Sequence, residues 1–525
     1  MMLQAIESES LATFAARQQR AFEDVTSAIR RKTSGHFGTP AAIAKFMADL
    51  PSRFPASTIR ILDAGAGVGM LAAAVCQRVA SLPGRRKLEI DAWENDEGLA
   101  PFLRRTLRQC RTVLDAKGHS VEFTIHRGDF ILENAPRGRG LFDDGPAKAG
   151  YDLAVMNPPY FKLRKDSQHA RAMSRVVHGQ PNMYALFMAV ACTMLADGGD
   201  LVAITPRSYF NGPYFRRFRR WFFERMTARH IHVFQSRTKA FQEANVLQEN
   251  VILWARHGDD PRDVVVSTSE GRDLSHGVER RAVPYAAVID RSNDDYTIRV
   301  SHNPTDETIV SVVDALPSRF RDLGLQVSTG PVVTFRATEH LLHERAEGEE
   351  TAPLLMMRNV RPLATVFPEK SNGKPSHFRI CDGSQPLLLP AKRYVLLKRF
   401  TAKEERRRLV AGVFESADSY APWVAIENHL NYVYKPHSEL SRDEALGLAT
   451  LLNSALFDRY FRTISGSTQV NAAEIRSLPL PAWPVICEIG RRVAAAPGGE
   501  LGHIQRVVAE VLLLDNDLNA YLAAY

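Results

Sequence analysis

Four consecutive residues, Asn157-Pro158-Pro159-Tyr160, bring together a carboxamide oxygen, the backbone carbonyls of the Asn157-Pro158 segment and a flat aromatic face. Two carbonyl-type acceptors can hold both hydrogens of a planar amino group, while a ring stacks on the heterocycle that carries it. The target this chemistry points to is an amine on a nucleobase, or an amide. Taken alone, the tetrapeptide is equally well a turn, since Pro and Asn are turn formers in their own right. Further polar residues upstream give it company: Asp63 ahead of a glycine cluster, then Glu94, then Asp129 beside Phe130.

The elements that must position these groups read as a series of strands. Residues 151–156 form an apolar run typical of a buried parallel strand. Both prolines lock φ, so the strand's carboxyl end opens into an extended loop, the usual place for a site in an α/β sheet. A strand over 59–63 runs straight into Ala64-Gly65-Ala66-Gly67-Val68-Gly69 and a helix over 70–79. Gly65, Gly67 and Gly69 permit a tight strand-to-helix turn with the backbone close to a ligand, a pattern that also fits nicotinamide and flavin sites. Asp63 favours a ligand with an ammonium nearby, which a dinucleotide pyrophosphate does not supply.

A strand over 88–93 ends in Glu94, where a carboxylate would accept from ribose hydroxyls. One over 121–126 leads to Asp129, which could accept from an adenine amino group with Phe130 beside the ring. Four strands with a polar tool at each carboxyl end describe one continuous crevice. Ahead of them, a helix is predicted from Pro40, with Thr39 as its N-cap and Ile43, Phe46, Met47 and Leu50 at helical spacing. Its free N–H groups favour an anion such as a ligand carboxylate.

Residues 1–35 read as an amphipathic helical extension that packs on the next element. Past the tetrapeptide, 162–181 is basic and polar, a lid or a DNA-facing segment. A helix over 182–195, a fifth strand over 199–205 and two last strands over 231–234 and 251–254 follow, with Phe241 in the loop between the last two. A turn-rich stretch at 257–261 marks a domain boundary, giving a catalytic domain over 36–260 and a second domain over 261–525. In the second, eight basic residues between 392 and 408 interleave with Tyr394 and Phe400. Spread over a groove, Lys392, Arg393, Lys398 and Arg399 would make the electrostatic footprint of a polyanion; a solvated surface is the plainer account.

Composition narrows the class. The chain has 525 residues, enough for two or more domains with sizeable cores. Its net charge of +8 permits a nucleic-acid partner without demanding one. The five cysteines are scattered with no CxxC pair and no His at finger spacing, so a reducing compartment and no metal site are expected. The start carries Glu7 and Glu9 without a basic region, unlike a secretory signal, and the longest apolar run, 184–195, is too short to span a bilayer. A cytoplasmic protein is expected.

With Phe37-Gly38-Thr39-Pro40, Asp63-Ala64-Gly65-Ala66-Gly67, Glu94, Asp129 and Asn157-Pro158-Pro159-Tyr160 in this order, the chain resembles the adenine-specific amino-DNA methyltransferases of bacterial restriction-modification systems. Within them it looks most like the Eco57I-like and BsuBI/PstI-like modification methylases. The likeness covers roughly residues 36–254. It continues more weakly through Ser328-Thr329-Gly330-Pro331-Val332-Val333, Glu427-Asn428-His429-Leu430-Asn431 and Ser465-Gly466-Ser467-Thr468-Gln469-Val470-Asn471.

The resemblance implies a Rossmann-like, class I α/β sheet with helices on both faces and a mixed α/β target-recognition domain behind it. It implies S-adenosylmethionine as cofactor, with its carboxylate at Thr39, its amino group at Asp63, its ribose at Glu94 and its adenine at Asp129. Asn157 and the Pro158 carbonyl would hold the target adenine's amino group, Tyr160 would stack on the flipped base, and Phe241 would supply a second aromatic face. Double-stranded DNA is the implied partner, gripped by a monomer, with a restriction endonuclease as functional counterpart.

Two other readings use the same residues. An RNA or protein-glutamine methyltransferase would suit the tetrapeptide, but such enzymes, as the resemblance goes, lack so large a second domain. A DNA-binding specificity protein with an inert core is the other, set against the presence of all the side chains the chemistry expects.

Overall fold

The structure is a computed structural model. It describes residues 9–26, 38–135, 150–234, 250–269, 274, 277–291, 296–301, 303–345, 348–367, 373–401, 405–465, 469–495 and 500–525. The chain divides into two compact units, Met1–Arg299 and Val300–Tyr525.

The first unit is built on one sheet. In chain order its strands are β1 (Thr58–Ala64), β2 (Lys87–Trp93), β3 (Ser120–His126), β4 (Tyr151–Met156), β5 (Leu195–Pro206), β6 (Met226–Phe234), β7 (Asn250–His257), β8 (Val264–Ser269) and β9 (Glu279–Val283). They lie side by side as β3-β2-β1-β4-β5-β7-β6-β8-β9. β1 to β5 are mutually parallel and β7 enters antiparallel between β5 and β6. The order reverses between β1 and β4, so the crevice at their carboxyl ends is the topological switch point where ligands bind in such sheets.

Alternation along the strands supplies both faces. Ile59 and Ile61 of β1, Leu88 and Ile90 of β2, and Leu153 and Val155 of β4 are fully or almost fully buried against α1 (Leu11–Val25), α2 (Ala41–Asp49), α3 (Met70–Val79) and α4 (Ala100–Ala116). The helix Met183–Met194 packs on β1 and β5 and is buried almost all round. Ser10 caps α1, its hydroxyl accepting the Thr13 N–H at 3.1 Å. Leu11, Ala15, Gln18 and Phe22 are buried on one stripe of α1, so the expected extension is an integral layer of this unit.

Two expectations are corrected. The helix predicted from Pro40 begins at Ala41; Pro40 keeps an extended ψ of 142° while its carbonyl accepts the Ala44 N–H, so it takes the cap position expected of Thr39. The boundary expected near 260 lies instead at 299, because β8 and β9 continue the sheet. β8 pairs parallel with β6, and Val264 and Val266 are buried on it. Behind them a polar seam joins the strands, with His230 Nε2 and His232 Nδ1 at 2.6 and 2.8 Å from the Ser267 hydroxyl. Burial pushes His230 down to about 4 and His232 to about 3, so both sit neutral in the seam.

The second unit is mixed α/β, with a six-stranded and a five-stranded sheet and a helical layer. Its core joins strands Gln326–Thr329, Tyr394–Lys398 and Leu430–Tyr434 to helices Arg442–Asn453, Ala455–Ile464 and Trp483–Ala495. The three stretches singled out from sequence in this half meet here. Gly330 N–H donates to Leu430 O at 2.9 Å, the Thr329 hydroxyl to Asn431 Oδ1 at 2.9 Å, and Asn431 Nδ2 to Val470 O at 2.7 Å.

Candidate active site

The glycine turn between β1 and α3 is held from the neighbouring strand. Gly65 and Ala66 both donate to Trp93 O, at 3.0 and 2.9 Å, and Gly67 donates to Glu94 Oε2 at 2.9 Å. Gly65, Gly67 and Gly69 have φ of 77°, 55° and 86°, a region that costs other residues strain. A Cβ on Gly69 would stand 2.9 Å from Leu103 Cδ1, whereas a Cβ on Gly67 would meet nothing within 4 Å. The first glycine serves packing against α4; the second leaves room above the turn.

That room is a cavity of about 610 Å³. Gly65 and Gly67 line it together with Glu94, Asp129, Phe130 and Asn157, so four of the sheet's carboxyl ends do open into one crevice. Thr39 reaches it from the segment before α2, and is buried. Glu94 is buried too: its Oε1 takes the Asp96 N–H at 2.9 Å while Oε2 holds Gly67. Phe130 lies 5.6 Å from Trp93 and 5.1 Å from Phe187, centroid to centroid, giving one wall an aromatic lining.

Asp63 stands apart. It is fully buried, accepts the Ala72 N–H on Oδ2 at 3.2 Å, and is absent from the side chains that line the cavity. Its Oδ1 has no hydrogen-bond partner among the described residues. Burial pushes its carboxyl up to about 7, partly offset by the Ala72 bond and reinforced by the charge of Glu94.

The tetrapeptide leaves the end of β4 at the cavity's edge. Asn157 Nδ2 donates to Thr39 Oγ1 at 3.0 Å, and Asn157 Oδ1 accepts from the Tyr160 hydroxyl at 2.6 Å. The same hydroxyl lies 2.9 Å from Ile204 O on β5. The carboxamide is therefore oriented at both ends, its nitrogen toward Thr39 and its oxygen toward Tyr160. Pro159 lines the cavity; Pro158 and Tyr160 do not. Burial raises the Tyr160 phenol far above its ordinary range, so it stays a donor.

Asp129 caps the short helix Phe130–Asn134, Oδ1 taking the Leu132 N–H at 2.9 Å, while Oδ2 accepts from His169 Nε2 at 2.7 Å. Sequence reasoning passed over His169, as it did Gln19 and Phe22 of α1, Trp93 and the exposed Phe161, all of which line the cavity except His169. Phe22 carried an amphipathic signal; the others carried none that singles them out. Phe241 lies outside the described residues.

The basic residues expected to face a polyanion spend donors on the chain itself. Lys392 Nζ donates to Lys435 O at 2.7 Å, Arg393 Nε pairs with Glu415 at 2.6 Å, and Arg399 donates to Asn428 O at 3.0 Å and to Gln469 at 3.3 Å. Lys398 is half-buried at its strand's end. Arg407 and Arg408, further along the same run, are buried.

The sequence profile of the Eco57I restriction-modification methylases matches residues 112–241, which include the tetrapeptide. The chain is 34% identical over 463 residues to the Type II methyltransferase M.BsuBI of Bacillus subtilis, covering 87% of this chain and 90% of that protein. It is 34% identical over 469 residues to the Type II methyltransferase M.PstI of Providencia stuartii, covering 88% and 90%. Among solved structures, the Type IIL restriction-modification enzyme MmeI, in complex with DNA, matches with a TM-score of 0.58 at 12% identity, over 98% of this chain and 81% of that one, a likeness of fold. The strand order around β1 and β4, with an antiparallel β7, is that of the class I methyltransferase sheet. A third of the residues shared along almost the whole of two relatives decides the matter: the chain belongs to the Type II restriction-modification methyltransferases.

Proposed function

We propose that the protein is a site-specific DNA methyltransferase that transfers a methyl group from S-adenosylmethionine to the exocyclic amino nitrogen of an adenine swung out of the duplex. The observation that carries this reading is the Asn157 carboxamide, oriented by Thr39 and Tyr160 at the edge of a glycine-floored cavity. The lining fits the cofactor. A volume of about 610 Å³ suits a ligand of its size, the space over Gly67 is open, and the lining holds carboxylates and aromatic rings, the groups that would meet a nucleoside's hydroxyls, amine and flat base.

When bound, the cofactor supplies an electrophilic methyl group on a sulfonium. Glu94 would take the ribose hydroxyls, Asp129 the cofactor's adenine amino group, and Phe130 would lie beside that ring. Thr39 would meet the methionine carboxylate, and Asp63, behind the turn, would answer the ammonium with its charge.

The target amine is a poor nucleophile because its lone pair is conjugated with the purine. Asn157 Oδ1 and the Pro158 carbonyl would accept hydrogen bonds from its two N–H groups, draw the hydrogens out of the ring plane and localise the lone pair toward the methyl group. Tyr160 would stack on the extruded base. Extrusion costs a few kcal/mol, to be offset by stacking and by DNA contacts from the second unit, which would also read the sequence. Methylation of that kind would protect DNA from a partner endonuclease, with the enzyme acting as a monomer.

Labelled S-adenosylmethionine offered to duplex DNA, RNA and protein extract tests the reading. Label in DNA recovered as N6-methyladenine is the expected result. N4-methylcytosine would overturn the choice of base, and label confined to RNA or protein would overturn DNA as substrate.

Thr39 has two tasks in this scheme, and Thr39→Val separates them. The valine keeps the shape and removes the acceptor that orients the Asn157 nitrogen. Turnover at saturating cofactor should fall about tenfold, the worth of one such bond. If only the cofactor's dissociation constant rises and turnover stays put, Thr39 serves the carboxylate alone.

A further inference from the structure

The chain leaves Tyr160 for an excursion that ends at the helix Met183–Met194. Its base is closed: Lys162 bridges antiparallel to Asn182, Leu163 N–H donates to Pro181 O at 2.7 Å, and Met183 N–H to Phe161 O at 2.9 Å. Phe161 and Met183, at the two ends, both line the cavity. Inside the excursion, Ser167 caps the short helix Gln168–Ala172, its hydroxyl accepting the Ala170 N–H at 3.2 Å. That cap fixes where His169 projects. Leu163, Ala170, Met173, Val176 and Val177 are buried, so the excursion is packed onto the body rather than hanging free.

His169 Nε2 lies 2.7 Å from Asp129 Oδ2, with side chains 21% and 35% exposed. The other Asp129 oxygen is committed to Leu132 N–H. A carboxylate bonded at one oxygen only can still swing about its χ2; bonded at both, its plane is set. Each oxygen then keeps one lone pair for a further donor. A half-exposed carboxylate that needed only a helix cap would be served by Leu132 alone, and the histidine adds nothing to that cap.

We infer that His169 is a positioning residue: it fixes the Asp129 carboxylate for the 6-amino group of the cofactor's adenine and, through the same bond, ties the segment that follows Tyr160 to the cofactor cavity. This rests on the reading that the cavity takes S-adenosylmethionine with its adenine at Asp129. The tie runs from the third strand's exit, through His169, to the two ends of the excursion at Phe161 and Met183. Cofactor recognition and the placement of the tetrapeptide are thereby served by one side chain that touches neither the methyl group nor the target base.

The test uses two probes that differ only at position 6 of the purine. S-adenosylhomocysteine presents an amino group there, and S-inosylhomocysteine an oxo group that a carboxylate repels. Their dissociation constants are measured by calorimetry for the full-length wild type, His169→Ala, His169→Gln and Asp129→Ala, beside turnover on DNA at saturating cofactor. Wild type should favour the adenosyl compound by tenfold or more, since a site built for an amine rejects an analogue lacking it. In His169→Ala the preference and the turnover should each fall about tenfold. His169→Gln, whose amide can donate from nearly the same place, should recover most of both, which a general loss of packing would not allow.

His169→Ala with the wild-type preference, or with untouched turnover, overturns the inference. Asp129→Ala with the wild-type preference would put the amino group elsewhere and overturn it by another route. Wild type that binds neither probe overturns the cofactor reading itself, and this inference with it.

Discussion

Asn157→Ala should bind S-adenosylmethionine nearly as well as the wild type and lose methyl transfer by a factor on the order of 10³. The carboxamide is at the cavity's edge, while the ribose and adenine would be held by Glu94, Asp129 and Phe130 on other strands. Removing it costs the fold little. Tyr160 keeps Ile204 O as an acceptor at 2.9 Å, and Thr39 loses one donor, so destabilisation should stay near 1 kcal/mol. The chemistry has no such reserve. Without Oδ1 only the backbone carbonyl remains for the two amine hydrogens, which stay in the ring plane, and the lone pair stays delocalised over the purine.

Asn157→Asp sharpens this prediction. It keeps the acceptor that Tyr160 and the amine would use and replaces the nitrogen that faces Thr39. The Thr39 hydroxyl can rotate and donate instead, so a measurable fraction of turnover should survive. Equal loss in the two variants would mean that orientation by Thr39, not the acceptor on residue 157, carries the rate. The check is single-turnover methylation beside calorimetric binding of S-adenosylhomocysteine, which keeps chemistry and cofactor affinity apart.

The crevice was legible in sequence because it depends on strand ends. An apolar run stopped by two prolines, or by glycines that alone tolerate φ near 80°, announces both the strand and the point where it opens. Glu94, Asp129, Phe130 and Asn157 lie on the cavity for that reason. What sequence could not convey was how each polar group divides its bonds. Asp63 and Glu94 look alike as acids after apolar strands, yet one is sealed behind the turn and the other lines the cavity while holding Gly67.

Pairings across long stretches were equally hidden. His169 meets Asp129 over 40 positions and Asn157 meets Thr39 over 118, and neither spacing carries a period. The boundary at 299 was missed because β8 is short and follows a turn cluster; the histidine seam that binds it to β6 has no local signature. The cationic run after 392 misled for a related reason. Guanidinium groups carry the same charge whether they meet a polyanion, a carbonyl or a carboxylate of their own chain, and here Arg399 meets the second and Arg393 the third.

That run leads to the largest stability effect expected. Asp458 is fully buried on the helix Ala455–Ile464. Its Oδ1 accepts the N–H groups of Arg408 and Leu409 at 2.6 and 2.8 Å; its Oδ2 accepts from Arg462 Nε at 2.8 Å and the Tyr525 hydroxyl at 2.9 Å. Four donors converge on one carboxylate, so Asp458→Ala takes its charge partner from the half-buried Arg462 guanidinium, which keeps Glu405 O at 2.8 Å, and the acceptor from two backbone N–H groups together. Removing one partner of a buried ion pair costs about 3–5 kcal/mol.

For a unit of this size that is a fall in melting temperature on the order of 10 °C. Asp458→Asn should sit between, since its oxygen can still take the two N–H groups while its amide faces Arg462 donor to donor. Scanning calorimetry of the full chain reads the shift. Calorimetric binding of S-adenosylhomocysteine at low temperature should be unchanged in both variants, because every residue lining the cavity belongs to Met1–Arg299. A variant that melts within a degree of wild type would mean that water replaces the carboxylate. The converging donors would then be a consequence of the packing rather than one of its causes.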